Sequence, residues 1–123
     1  MALAGCTGLV QLSVHRIDLP DPGVQELLRA LRACVLLERL DLQRLDLANR
    51  HLTELAALVE VLPALKELSL RHHRRFGGGQ EFELLARALR MCAELTILDL
   101  ANTGIDDAAM RALVKCLPAF QVL

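Results

Sequence analysis

The sequence predicts an α/β solenoid: a curved parallel sheet on the concave side, helices on the convex side, and about four repeats with partial repeats at the ends. Three observations carry this. The stretch Leu37-Glu38-Arg39-Leu40-Asp41-Leu42 sets an L-x-x-L-x-L frame that returns at Leu9-Leu12-Val14, Leu65-Leu68-Leu70 and Leu95-Leu98-Leu100. The opening residues lie 28, 28 and 30 apart, a period at which each unit buries its apolar face only against its neighbours. Finally, 54% of the residues are apolar but only 2% are aromatic, which suits stacked columns of Leu, Val, Ala and Cys better than a core filled by large rings.

Residues 1–8 read as the tail of a preceding repeat, since Leu3-Ala4-Gly5-Cys6 aligns with Leu31-Arg32-Ala33-Cys34. Unit 9–36 pairs a strand at 9–14 with a helix near 22–34. Asp21 can accept an orphan helix N–H and Pro22 tolerates the first helical position, while Val24, Leu27, Leu28 and Leu31 recur at helical spacing. Unit 37–64 repeats this with Leu52, Leu55, Val59 and Leu62, and Pro63 ends its helix. Unit 65–94 carries the insertion Arg71-His72-His73-Arg74-Arg75-Phe76-Gly77-Gly78-Gly79 before a helix that turns Phe82, Leu85, Leu89 and Cys92 inward. Unit 95–119 uses Asp106 as its cap and Met110, Leu113, Val114 and Leu117 as its face; a truncated repeat, 120–123, opens at Phe120.

Stacking the units predicts the core columns Val24/Leu52/Phe82/Met110, Leu27/Leu55/Leu85/Leu113 and Leu31/Val59/Leu89/Leu117. Neither end carries the polar terminal repeat that shields the last apolar face of a solenoid. The chain is therefore expected either to be a segment of a longer array or to have its ends covered by another chain, including a second copy in a homo-oligomer.

This ladder resembles a leucine-rich repeat protein, and its period is similar to that of the ribonuclease-inhibitor-like branch. The resemblance covers essentially the whole chain. The family pattern places Asn or Cys at the ninth position to satisfy backbone groups after each strand. Here that position holds Ile17, Leu45, His73 and Thr103, with Asn102 one residue early, so the turn bonding has to be met differently. A rival frame, Leu42-Leu45-Leu47, would align Leu47-Ala48-Asn49 with Leu100-Ala101-Asn102, but spaces the units 33 and then 23 residues apart. The match of His15-Arg16-Ile17-Asp18-Leu19 to Gln43-Arg44-Leu45-Asp46-Leu47 favours the first frame.

Composition excludes several function classes. A net charge of −1 gives no global pull toward nucleic acid or membrane, and a chain without Tyr or Trp has little with which to stack bases. No stretch approaches the roughly 18 apolar residues that span a bilayer. Met1-Ala2-Leu3-Ala4-Gly5-Cys6 lacks the basic start of a signal peptide, so the chain is expected in the cytoplasm or nucleus. Cys6, Cys34 and Cys92 each stand three residues before a repeat-opening Leu, a place Leu62 fills in the other unit. They read as small buried hydrophobes, while Cys116 falls elsewhere and is expected to be more exposed. There is no CxxC pair, and zinc is not expected.

Function is expected on the strand face. Alternate strand positions point away from the leucines, giving a third column of Gln11, Arg39, Glu67 and Ile97 and a fifth of Ser13, Asp41, Ser69 and Asp99. The seventh column is His15, Gln43, Arg71 and Ala101, and the eighth, at the strand exit, is Arg16, Arg44, His72 and Asn102. A basic margin beside an acidic or hydroxylic stripe suits a charge-matched protein partner. The partner-binding residues predicted are His15, Arg16, Arg39, Asp41, Arg44, Glu67, Arg71, His72 and Asp99.

Catalysis is not expected. Asp41 and Asp99 stand two repeats apart, roughly 9–10 Å by strand spacing, too far to share a proton. Ser13 and Ser69 lack a His–acid relay in their columns. The Gly77-Gly78-Gly79 triplet is followed by Gln80-Glu81 rather than the Lys-Ser or Lys-Thr of a phosphate loop. His72 and His73 are neighbours expected to diverge, so they make no ready metal pair, and no cofactor is predicted. The resemblance implies protein partners of the kind seen in inhibitor–enzyme pairs, immune-sensor assemblies and small-GTPase regulators. A GTPase-activating role is a second reading that it permits and that no residue here selects.

Overall fold

The computed structural model describes residues 8–15, 21–45, 47, 51–73, 80–105, 107–115 and 121–122. Strands and helices alternate: β1 (Gln11–His15), α1 (Asp21–Leu31), β2 (Arg39–Gln43), α2 (Leu52–Glu60), β3 (Glu67–Ser69), α3 (Gln80–Arg90), β4 (Ile97–Asp99), α4 (Asp107–Val114) and β5 (Gln121–Val122). The strands form one five-stranded sheet in chain order, with every neighbouring pair parallel. The protein is an α/β chain of alternating strand–helix units.

The register is position for position. Leu12 pairs with Leu40, Leu40 with Leu68, and Leu68 with Leu98, so the fourth-position leucines line up in the frame that opens at Leu9, Leu37, Leu65 and Leu95. Bonds just before the strands extend the ladder: Glu38 N–H donates to Val10 C=O (2.8 Å), Lys66 to Glu38 (2.7 Å) and Thr96 to Lys66 (2.8 Å). At the far edge the pairing runs one residue earlier than a repeat opened at Phe120 requires. Gln121 lies against Ile97 and Val122 against Leu98, where a Phe120 opening would set Leu123 against Leu98.

Successive side chains of a strand point to opposite faces, and here one face receives the helices. Leu40, Leu42, Leu68, Leu70, Leu98 and Leu100 are buried beneath α1–α4, together with the openers Leu37, Leu65 and Leu95. Each helix packs on the next, α1 on α2, α2 on α3 and α3 on α4. The columns Val24/Leu52/Phe82 and Leu27/Leu55/Leu85/Leu113 are buried, as are Leu31, Val59 and Leu89; Leu117 lies outside the described residues. Cys34, Leu62 and Cys92 occupy one buried column, and Cys6 and Cys116 fall outside the description. Of the expected caps, Asp21 is the first residue of α1, its side chain lying outside the description, and Asp106 lies outside the described residues.

One core assignment is corrected. Met110 is 41% exposed, and Ala109 is 2% exposed in its place. Positions 109 and 113 form a single stripe that α4 turns toward α3, and Met110 is rotated about 100° from Ala109. At the corresponding position of α1, α2 and α3, Val24, Leu52 and Phe82 are buried. On α4, Met110 instead lines a shallow cavity of about 510 Å3 with Asp107, Arg111 and Lys115.

These burial patterns set measurable costs. Leu55→Ala is expected to lower the unfolding free energy by about 2–5 kcal/mol and Met110→Ala by less than about 1 kcal/mol; denaturant melts giving the reverse order would contradict the placement of α4. Burial also pushes the Cys92 thiol from 9.0 up to about 11. Since the folded value is the higher one, its contribution to stability is complete below about pH 9 and fades as pH rises toward 11. At about pH 8, Cys92 should resist iodoacetamide in the native chain and react once the chain is denatured, as read by peptide mass mapping.

Candidate functional site

The face of the sheet turned away from the helices carries the third and fifth columns, and the register lays them straight across the strands: Arg39 beside Glu67 beside Ile97, Asp41 beside Ser69 beside Asp99. Their polar groups find one another. Arg39 Nε lies 3.7 Å from Glu67 Oε2, and Ser13 Oγ and Gln43 Nε2 both donate to Asp41 Oδ2, at 3.2 and 2.9 Å. Arg71 Nε approaches Asp99 Oδ2 at 3.6 Å, beyond hydrogen-bond length, while the Ala101 N–H donates to Asp99 Oδ1 at 3.1 Å. The Ser69 hydroxyl, shielded from solvent between Asp41 and Asp99, has no hydrogen-bond partner among the described residues. Of these, Ser13, Arg39, Asp41, Glu67, Ser69 and Asp99 line a shallow groove of about 330 Å3.

The structure therefore couples what the columns present as separate stripes. Arg71 of the basic margin leans onto Asp99 of the acidic stripe, and the third column neutralises itself through Arg39 and Glu67. Of the predicted residues, Arg39, Asp41, Glu67, Arg71 and Asp99 come together on this face, and Arg44 and His72 stand at its strand-exit edge. His15 takes its place in β1 opposite Gln43, its side chain not being described, and Arg16 lies outside the described residues.

At the strand exit the backbone repeats an unusual conformation. Arg44, His72 and Asn102 have φ of 56°, 63° and 59°, and Gly104 has φ of 68°. Left-handed backbone costs an ordinary L-residue roughly 1–2 kcal/mol and suits Asn and Gly. In these three units the eighth residue thereby reverses the chain, so that the ninth turns back into the core: Leu45, His73 and Thr103 are all about 1% exposed. The missing asparagine ladder is replaced by two different devices. Thr103 Oγ1 donates to Leu100 C=O within its own turn at 2.7 Å. His73 reaches back a whole repeat, where the Leu47 N–H donates to its Nδ1 at 3.3 Å and its Nε2 meets Leu42 C=O at 2.6 Å. Since Nδ1 accepts, the neutral ring carries its proton on Nε2 and donates it to the carbonyl.

His72 and His73 do diverge. While His73 is buried, His72 sits at the surface, where the Asn102 side-chain amide donates to its Nδ1 at 3.3 Å. Arg44, His72, Asn102 and Gly104 line a cavity of about 660 Å3. Asn102, Gly104, Ser69 and His73 are the residues that a reading of charged columns misses. The signals were there in part: Asn tolerates left-handed backbone, and His73 is the one ring in a ninth column otherwise aliphatic or hydroxylic. Among the described residues no group of three or more His, Cys, Asp or Glu side chains is placed to hold a metal, and no helix is long and apolar enough to cross a membrane.

No protein-family model matches the chain, and no curated protein matches it in sequence. The His73 bridge can be tested directly. Removing a buried bonding group leaves its partners unsatisfied, so His73→Ala should destabilise the chain by about 1–3 kcal/mol. His73→Asn, which can both accept from an N–H and donate to a C=O, should lose less in the same urea titration; an alanine variant as stable as the parent would show that the bridge does not hold the turn.

Proposed function

We propose that this chain is a leucine-rich-repeat module of the ribonuclease-inhibitor-like type, a solenoid whose concave strand face and strand-exit edge bind a protein partner without catalysing a reaction. The observation that carries this is the division of labour within each strand. In-register pairing sends the leucines to the helices and leaves the opposite face to Arg39, Asp41, Glu67, Ser69, Arg71 and Asp99. Such a face has no packing role in the chain itself, and extended strand faces are what repeat arrays offer for recognition.

The energetics agree. Exposed ion pairs contribute about 0–1 kcal/mol each, so exchanging Arg39–Glu67 or Arg71–Asp99 for contacts with a partner costs little. Interleaved opposite charges discriminate between partners more than they add affinity. The half-buried Ile97 and the shielded Ser69 hydroxyl supply an apolar point and a hydrogen-bonding group in the same groove.

A charge swap tests this without removing the ion pair. Arg39→Glu combined with Glu67→Arg keeps an opposite-charge pair across β2 and β3 but inverts the pattern shown to a partner. Proteins captured by the parent chain from cell extract should bind the swapped chain at least about ten-fold more weakly, ~1.4 kcal/mol, with the thermal melt unchanged. A control pair on the outer face of α3, Glu83→Arg with Arg87→Glu, should capture as the parent does. Loss from the control with full retention by the swapped chain would move the binding face to the helices.

A further inference from the structure

We infer that the strand-exit row of Arg44, His72 and Asn102 is a subsite for a single oxyanion, a carboxylate or phosphoryl group carried by the partner. It rests on the protein-recognition reading above and supplies the chemistry of one contact in it. The three side chains occupy the same position in consecutive units and share one cavity of about 660 Å3, a far larger space than the groove on the strand face. All three are projected by the same left-handed backbone, which brings the chain sharply around while leaving the eighth side chain at the edge of the sheet.

The donors differ in how they are held. Arg39 and Arg71 are each turned onto a carboxylate of the strand face, but Arg44 is exposed and has no ion pair to any described residue. A guanidinium offers planar, paired N–H donors suited to an oxyanion. Asn102 acts as a positioning residue: its amide donates to His72 Nδ1, which fixes the neutral ring's proton on Nε2 and makes that nitrogen a donor. Gly104, with φ of 68°, adds to the wall without a side chain. A guanidinium, an imidazole held as a donor and a primary amide around one cavity form a set of hydrogen-bond donors for negatively charged oxygen. Among the described residues, the strand-face carboxylates Asp41 and Asp99 are engaged by Ser13, Gln43, Arg71 and the Ala101 N–H.

The experiment is a heteronuclear NMR titration of the 123-residue chain with sodium phosphate, with sodium acetate, and with sodium chloride at matched ionic strength. Saturable shifts of the Arg44 side-chain N–H, the Asn102 amide and the His72 ring nitrogens are expected with an oxyanion and not with chloride. Saturation by phosphate alone identifies a phosphoryl subsite, and saturation by acetate a carboxylate one. Arg44→Gln should weaken the saturation more than about ten-fold. Asn102→Asp, which keeps left-handed tolerance and nearly the same shape, should abolish it and move the His72 ring nitrogen shifts away from the Nε2-protonated pattern. Shifts that follow ionic strength equally for all three salts, or that saturate unchanged in Arg44→Gln, would overturn the subsite. That result would leave the strand-face reading intact, because the charge swap of Arg39 and Glu67 probes a different surface; a failed swap with a working anion site would separate the two in the other direction.

Discussion

Everything in this chain depends on strands that pair without slipping. A one-residue shift of any strand would exchange its two faces, sending leucines to the open side and Arg39, Asp41 or Glu67 beneath the helices. What holds the register is the apolar columns themselves and not the length of the connections. From Glu67 to Ile97 the chain spends 30 residues, from Ile97 to Gln121 only 24, and both pairs are in register. An insertion or a shortening between strand and helix is absorbed outside the sheet, because a displaced strand would have to bury charge, while a changed loop only alters closure entropy by a fraction of a kcal/mol.

That asymmetry explains what could be read in advance. A period near 28 with leucine at three fixed places contains the strand order, the faces and most of the core, since each fact follows from repeating one unit. It does not contain the neighbours of a particular helix. Ala109 and Met110 are both apolar and adjacent, so helical spacing admits either, and only the packing of α4 on α3 selects Ala109. Nor does it contain bonds that skip a repeat: the His73 ring joins residues 26 and 31 positions earlier in the chain. The open place in the asparagine ladder was visible, but the side chain that would fill it was not.

The candidate site was legible as an inventory and not as an electrostatic arrangement. Columns written side by side suggest a basic margin and an acidic stripe with opposing long-range fields. In the folded chain Arg39 and Arg71 turn toward Glu67 and Asp99, which pulls opposite charges within about 4 Å and leaves a pattern of dipoles whose field dies away within a Debye length of roughly 8–10 Å. Under the proposed function, recognition by such a face would be decided at contact, by which partner can replace each pair, with diffusional steering a minor part of it. Arg44 is set apart at the strand exit, exposed and without an ion pair to a described residue.

The left-handed row explains why Arg44 is set apart. For stability alone, Gly or Asn would serve best at each of these turns, and Asn102 is such a residue. Arg44, which is exposed, and His72, which is half-buried, carry the steric cost of a β-carbon in that conformation. Backbone strain of this kind persists where the surrounding structure over-determines it, and it gathers where side chains must be aimed. Here the over-determination is plain: the ninth residue, whether Leu45, His73 or Thr103, is locked into the core one step later. The core thus holds the turn, and the turn in turn presents the eighth side chain at a fixed place along the edge. A polar group displayed by the same device in three successive units forms a row whose spacing is set by the sheet beneath it.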